Sequence, residues 1–254
     1  MGNRVKEKLK AGEVVMGQML LELFTPGMAH MLANCGLDFV LYDMEHGRCD
    51  LSLLAGLISS AHHAGIVPLV RVPDIGVSPL SRVLDMGACG VMVPRVETAE
   101  QMREIIAQLK YAPEGRRGVA LGVAHDNYQI GPPSYLQDAN RDVLVIALLE
   151  TVRAFENLEA IVATPGLDVA WVGHYDLTTS LGIPAQFDHP LFLDCMRWLV
   201  AVTQQHGVAA GFLPGSPEDT VRWVGEGFRM ISLGSDIGVY QAAMRGFLAK
   251  VVDG

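Results

Sequence analysis

A closed (β/α)8 barrel, an α/β fold, is the fold class this sequence predicts, and three observations predict it. Short apolar runs rich in Val, Ile, Leu and Met recur along the 254 residues, each followed by a longer amphipathic stretch. The runs are continuously hydrophobic, without alternation, as parallel strands covered on both faces should be. Eight such strand–helix units suit one barrel, and the first strand–helix turn lacks the G-x-G-x-x-G fingerprint of the rival doubly wound sheet. With no visible linker, residues 1–254 are expected to form one barrel domain.

In chain order, strands are expected at Val14–Leu20, Phe39–Tyr42, Val67–Val72, Gly90–Val93, Val143–Leu149, Val169–Val172, Ala209–Leu213 and Met230–Leu233. The helices between and after them are Pro26–Asn34, Leu51–His63, Pro79–Met86, Ala99–Lys110, Val152–Val162, Leu191–His206, Pro217–Glu226 and Val239–Val251. Asp50, Thr98 and Ser216 precede three of these helices as N-caps, the last with Pro217 in the first turn. Gly65, Gly207 and Gly227 stand where C-terminal caps belong. One segment, Ala112–Arg141, reads as long and irregular, rich in Pro and Gly. Such excursions usually carry a function, here wrapping to an oligomer interface or capping a neighbouring site.

Composition excludes several classes of function. Net charge is −9 with no extended basic run, which disfavours nucleic-acid binding. No window reaches the roughly 18 apolar residues of a membrane span. The start, MGNRVKEKLKAGE, is charged and lacks the apolar core of a signal peptide; Lys6 departs from the myristoylation pattern. Cys35, Cys49, Cys89 and Cys195 are scattered and read as reduced thiols, so a cytoplasmic location is expected.

Chemistry on such a barrel collects at the carboxyl ends of the strands. The second strand ends in Asp43, Glu45 and His46, the third in Arg71, the fourth in Arg95 and the fifth in Glu150. The sixth runs into His174-Tyr175-Asp176 and the eighth into Ser235-Asp236. Each has a plainer reading: Asp176 as a helix N-cap, Glu150 or Arg95 in a structural ion pair, His46 as a hydrogen-bonded loop histidine. Together they converge on one mouth. Glu150 and Asp176 offer two hard oxygen donors suited to Mg2+ or Mn2+, and Gly173 opens a helix start toward an anion. Arg71 adds a fixed cation, and His46 a group that moves a proton near neutral pH. That set would stabilise an enolate.

The segments GLDFVLYDMEHG, PLVRVP, VLDMGACGVMVPRVETAEQ, YAPEGRRGVA, LLETVRAFENLEAI and VGHYDLTTSLG, taken in this order, resemble the HpcH/HpaI family of metal-dependent class II pyruvate aldolases. The resemblance spans nearly the whole chain. It implies a (β/α)8 barrel of the phosphoenolpyruvate/pyruvate type, assembled as a hexamer, with a divalent cation (Mg2+, Mn2+ or Co2+) on Glu150 and Asp176. Arg71 would contact the keto or enolate oxygen of pyruvate. His46 would be the base, with Asp85 its acidic partner. Tyr175 and Asp176 would hold the pyruvate carboxylate through their backbone, with His174 in the pocket wall. The implied reaction splits a 4-hydroxy-2-oxo acid into pyruvate and an aldehyde through a metal-stabilised enolate, without a lysine Schiff base.

Two departures stand out. Many relatives carry Gln where this chain has Leu148, two residues before the metal-binding Glu; they commonly read Gly-Pro where it has His174-Tyr175. Leu148 removes a hydrogen bond that would steady a metal ligand. His174-Tyr175 is expected to enlarge and polarise the pocket wall. The alternatives are other chemistry on the same enolate, such as oxaloacetate decarboxylation, and a weakened, binding-only relative. The aldehyde, the stereochemistry at C4 and the preferred metal are not encoded in any motif.

Overall fold

The computed structural model describes residues 2–75 and 77–252. Eight parallel strands close in sequence order, β1 (Val15–Leu20), β2 (Phe39–Asp43), β3 (Val67–Arg71), β4 (Gly90–Val93), β5 (Leu144–Leu149), β6 (Val169–Val172), β7 (Ala209–Phe212) and β8 (Met230–Ser235). The expected barrel is therefore the observed one. Helix α1 (Arg4–Lys10) precedes β1. Helices α2 (Pro26–Asn34), α3 (Leu51–Ala64), α4 (Val77–Asp85) and α5 (Ala99–Leu109) follow the first four strands. Helix α6 (Tyr135–Asp142) leads into β5, and α7 (Val152–Glu156) and α8 (Leu158–Val162) leave it. Helices α9 (His174–Ser180) and α10 (Pro190–His206) lie between β6 and β7, α11 (Pro217–Glu226) follows β7, and α12 (Asp236–Val252) follows β8.

Strand geometry sorts side chains into two apolar shells, because successive residues point to opposite faces of the sheet. Phe39, Leu41, Leu69, Met92, Ile146, Leu148, Val169 and Trp171 fill the barrel interior. Val40, Tyr42, Val70, Val91, Val145, Ala147, Ala170 and Val172 face the helix layer. This alternation is invisible in hydropathy, since both sets are aliphatic.

The expected caps are in place. The Asp50, Thr98 and Ser216 side chains accept from backbone N–H groups in the first turns of α3, α5 and α11, with Thr98 and Gln101 forming a reciprocal capping box. Elsewhere the structure departs from the sequence reading. The helix expected over Val152–Val162 breaks in two at Asn157. The segment expected to be irregular contains a 3-10 turn at Ala124–Asp126 and all of α6. Helix α12 starts at Asp236 and, beyond that residue, lies exposed along its length, with Tyr240, Met244, Phe247, Leu248 and Val251 bare. Among the described residues, no helix is long and apolar enough to cross a membrane.

Helix α1, not anticipated from its charge, closes the amino end of the barrel. Val5 is fully buried, and Lys6 reaches inward to donate to the Val143 carbonyl (2.6 Å) and the Asp168 carboxylate (2.8 Å). Burial lowers the Lys6 pKa, and Asp168 opposes that. Asp168 also accepts from the Val145 N–H at 2.9 Å, so one carboxylate ties α1 to β5. Lys6→Ala, which leaves that carboxylate without its cation, should cost about 3 kcal/mol of unfolding free energy. Replacing both partners, as Lys6→Met with Asp168→Asn, should cost less than the two single changes summed. Urea denaturation of the variants checks both expectations.

Candidate active site

The alternation that fills the interior also decides which polar residues enter the mouth. In β2, Phe39 and Leu41 point inward, so Asp43 does as well. In β3, Leu69 points inward and Arg71 follows it; in β5, Leu148 precedes Glu150 in the same way. Asp43 and Arg71 are also neighbours in the β2–β3 register. Adjacent strands thus deliver an acid and a base to the same level.

They form a buried two-point ion pair in the mouth. Asp43 has no solvent exposure, and its two oxygens accept from Arg71 Nε at 2.8 Å and Nη2 at 2.5 Å. Such a fork-to-fork pair fixes the guanidinium plane. Oδ1 of Asp43 also accepts the backbone N–H groups of Glu45 (2.9 Å) and His46 (3.3 Å), folding the turn after β2. The remaining Arg71 nitrogen, Nη1, lies 3.5 Å from Glu45 Oε2. That oxygen is buried and has no hydrogen-bond donor among the described residues. Its other neighbour is the His46 ring at 3.9 Å, whose side chain is half exposed.

Glu150 sits across the mouth, 5% exposed. Oε1 accepts the Arg95 backbone N–H at 2.8 Å; Arg95 adopts φ 55° there and sends its side chain into solvent, with Nη2 3.5 Å from Glu45 Oε1. Oε2 is accommodated because residue 173 is glycine: a Cβ there would come within 2.6 Å of it. Burial pushes the Glu150 pKa up to about 7, with Asp176 and Glu45 adding to the rise and the Arg95 N–H and Arg71 opposing it. Asp176 is exposed in the first turn of α9, three residues beyond the cap residue Gly173. It is not the N-cap.

The structure brings His46, Arg71, Glu150 and Asp176 to one end of the barrel. It does not bring Asp85 to His46. Helix α4 runs back antiparallel to the strands and ends at Asp85, which places that residue at the opposite end. There it accepts from Arg117 Nη2 at 2.5 Å and lies 4.0 Å from His125 Nε2. The acids beside His46 are Asp43 and Glu45. Nor does His174 polarise the mouth. Its ring packs against Tyr175, Phe187 and Phe212 at centroid distances of 4.6 to 5.3 Å, with Phe212 part of the shell between barrel and helices. Tyr175 is exposed, and Leu148 lies in the barrel core beneath Glu150. The Asp43–Arg71 pair and the space at Gly173 escaped sequence reasoning. Strand parity could have found the first; the second depends on a close approach that no motif encodes.

Burial drives the His174 pKa from its ordinary 6.5 down to about 4, with Asp176 weakly opposing. The neutral ring is therefore part of the folded state. Stability linked to it is complete above pH 6.5 and is lost as pH falls toward 4, because the unfolded chain takes up the proton first. His174→Phe should remove about 2 kcal/mol of the stability difference between pH 7.5 and pH 5, read from urea midpoints at the two pH values.

Comparison with known proteins agrees with this fold. The family model for HpcH/HpaI aldolase/citrate lyase matches residues 18–243. A 5-keto-4-deoxy-D-glucarate aldolase from Klebsiella pneumoniae is 32% identical over 95% of this chain and 93% of its own. A hydroxypyruvate/pyruvate aldolase from Cupriavidus necator is 31% identical over 98% of this chain and 92% of its own. The crystal structure of an HpcH/HpaI aldolase from Desulfitobacterium hafniense superposes with a TM-score of 0.92 at 31% identity, covering 97% of this chain and 95% of that one. The chain belongs to the HpcH/HpaI aldolase/citrate lyase family and is an enzyme of it.

Proposed function

We propose that this enzyme is a divalent-metal-dependent class II aldolase that reversibly cleaves a 4-hydroxy-2-oxo acid into pyruvate, or a related 2-oxo acid, and an aldehyde. The observation that carries the reading is the charge imbalance at the mouth. Among the described residues the acids outnumber the cations there: Asp43, Glu45, Glu150 and Asp176 face Arg71, two of whose nitrogens Asp43 already takes, and the exposed Arg95. Glu45 Oε2 is buried with no donor among the described residues, and burial, with the acidic neighbours adding to it, raises the Glu150 pKa to about 7. Such a deficit of positive charge, in a set of hard oxygen donors, fits a divalent cation such as Mg2+, Mn2+ or Co2+. Glu150 and Asp176 would hold it. Among the described residues no cluster of three or more His, Cys, Asp or Glu side chains makes a closed metal cage, which is consistent with two carboxylates plus water or substrate. Bound there, the cation would supply Lewis acidity toward the 2-oxo group.

The chain's own groups supply the rest. The 2-oxo acid carboxylate would take the backbone N–H groups of Tyr175 and Asp176, which lie in the first turn of α9 and lack partners within that helix. His46 accepts the C4 hydroxyl proton, directly or through one water. As the C4–O bond becomes a carbonyl, the C3–C4 bond breaks and its electron pair passes to the 2-oxo group as an enolate. Arg71 Nη1, the guanidinium nitrogen not used by Asp43, offsets the charge on that oxygen. Protonation of the enolate carbon then yields pyruvate. Asp43 holds the arginine, and Gly173 leaves the space into which the Glu150 carboxylate extends.

The same proposal includes assembly and location. The exposed apolar side of α12 needs cover, and a homo-oligomer, a hexamer by family resemblance, supplies it from another copy. The four free, scattered cysteines suit a reducing cytoplasm.

Chelation with EDTA should abolish pyruvate release from a 4-hydroxy-2-oxo acid, and Mg2+, Mn2+ or Co2+ should restore it. Solvent deuterium should enter the pyruvate methyl group under the same metal requirement, with Arg71→Ala slowing that exchange by about 100-fold or more. Activity that persists after complete chelation contradicts the metal assignment.

A further inference from the structure

His46 has a weak hold on its own ring. Its side chain is 54% exposed, and the nearest acid, Glu45 Oε2, is 3.9 Å away. The ring must therefore be aimed by the backbone turn that carries it. On one side Asp43 fixes that turn through the Glu45 and His46 N–H groups. On the other side the turn meets the loop between β1 and α2. Gly47 is pressed so closely there that a Cβ would come within 2.7 Å of the Phe24 ring tip and 3.0 Å of the Leu21 carbonyl oxygen. Arg48, the next residue, ion-pairs with Glu22 of the same loop.

That loop is in turn anchored by Asp236. Asp236 is 2% exposed, and its carboxylate accepts three consecutive backbone N–H groups: Leu21 at 3.0 Å, Glu22 at 2.9 Å and Leu23 at 2.6 Å. It also accepts the Ile237 N–H at 2.9 Å. These are charge-assisted bonds to a loop just past the end of β1, where the sheet no longer supplies partners. They tie the start of α12, just past β8, to the loop that abuts the turn bearing His46. We infer that Asp236 is a positioning residue for His46, holding the Leu21–Phe24 loop as a wedge against the Gly47 turn.

The inference rests on the aldolase reading only for its kinetic arm. Hydrogen–deuterium exchange on the full chain tests it without substrate. In Asp236→Asn the amides of Leu21, Glu22 and Leu23 should exchange faster, and those of Glu45 and His46 should also accelerate by about fivefold. Phe24→Ala, which removes the wedge but keeps Asp236, should accelerate the Glu45–His46 amides alone. In cleavage assays Asp236→Asn should lower kcat about tenfold with KM for the 2-oxo acid nearly unchanged, since Arg71, Glu150 and Asp176 are untouched. Combined with His46→Ala it should add almost nothing to the loss caused by His46→Ala alone. Faster exchange confined to residues 21–23, or losses that simply add in the double variant, would overturn the inference. A wild-type chain that released no pyruvate would sink the aldolase reading, while amide exchange would still decide whether Asp236 controls the His46 turn.

Discussion

The buried Asp43–Arg71 pair is the interaction on which the mouth of this barrel depends. An arginine this deep in an aliphatic barrel is tolerable only with a matched anion, and removing either partner of such a pair strands the other. The register of β2 and β3 puts the two residues side by side with the same inward parity. Asp43 then does double service. Both its oxygens take the guanidinium, and Oδ1 also folds the turn that bears Glu45 and His46. One carboxylate thereby sets the position of the fixed cation and of the proton acceptor.

The remaining geometry follows from how little space the barrel end offers. Glu150 extends to the level of β6, and a glycine at 173 is what leaves room for its carboxylate. Arg95 accepts a left-handed backbone conformation and donates its N–H to Glu150, an arrangement that costs on the order of 1 kcal/mol and is retained where the surrounding structure imposes it. Burial and neighbouring acids keep Glu150 poised near neutrality. The result is an electronegative recess with one edge of Arg71 in it. That recess is suited to a hard cation and to an oxygen on which negative charge develops.

Much of this was legible in the sequence, for definite reasons. Continuous aliphatic runs mark strands covered on both faces, and capping residues mark helix starts, so all eight strands and the main helices lie close to where the pattern places them. The convergence of His46, Arg71, Glu150 and Asp176 follows from parallel strands sharing one carboxyl end. What was not legible depends on distance in space. Asp85 and Arg117 meet through a segment without periodicity, which also conceals α6. His174 looks like a pocket residue beside Asp176, yet the first turn of α9 directs its ring into the aromatic shell. The sequence places Asp236 at the mouth, but nothing in the residues after β8 signals that it would hold the loop after β1 or that α12 would lie exposed.

The central claim is that Asp43 fixes Arg71 for the 2-oxo acid while the cation site stands apart on Glu150 and Asp176. Asp43→Asn, which keeps the shape and removes the charge, separates the two most directly. Steady-state cleavage should show KM for the 2-oxo acid rising about tenfold or more. Mn2+ affinity, followed by water-proton relaxation, should stay close to wild type, and the thermal transition should remain cooperative at a lower midpoint. An unchanged KM in a folded, Mn2+-competent Asp43→Asn chain would contradict the account.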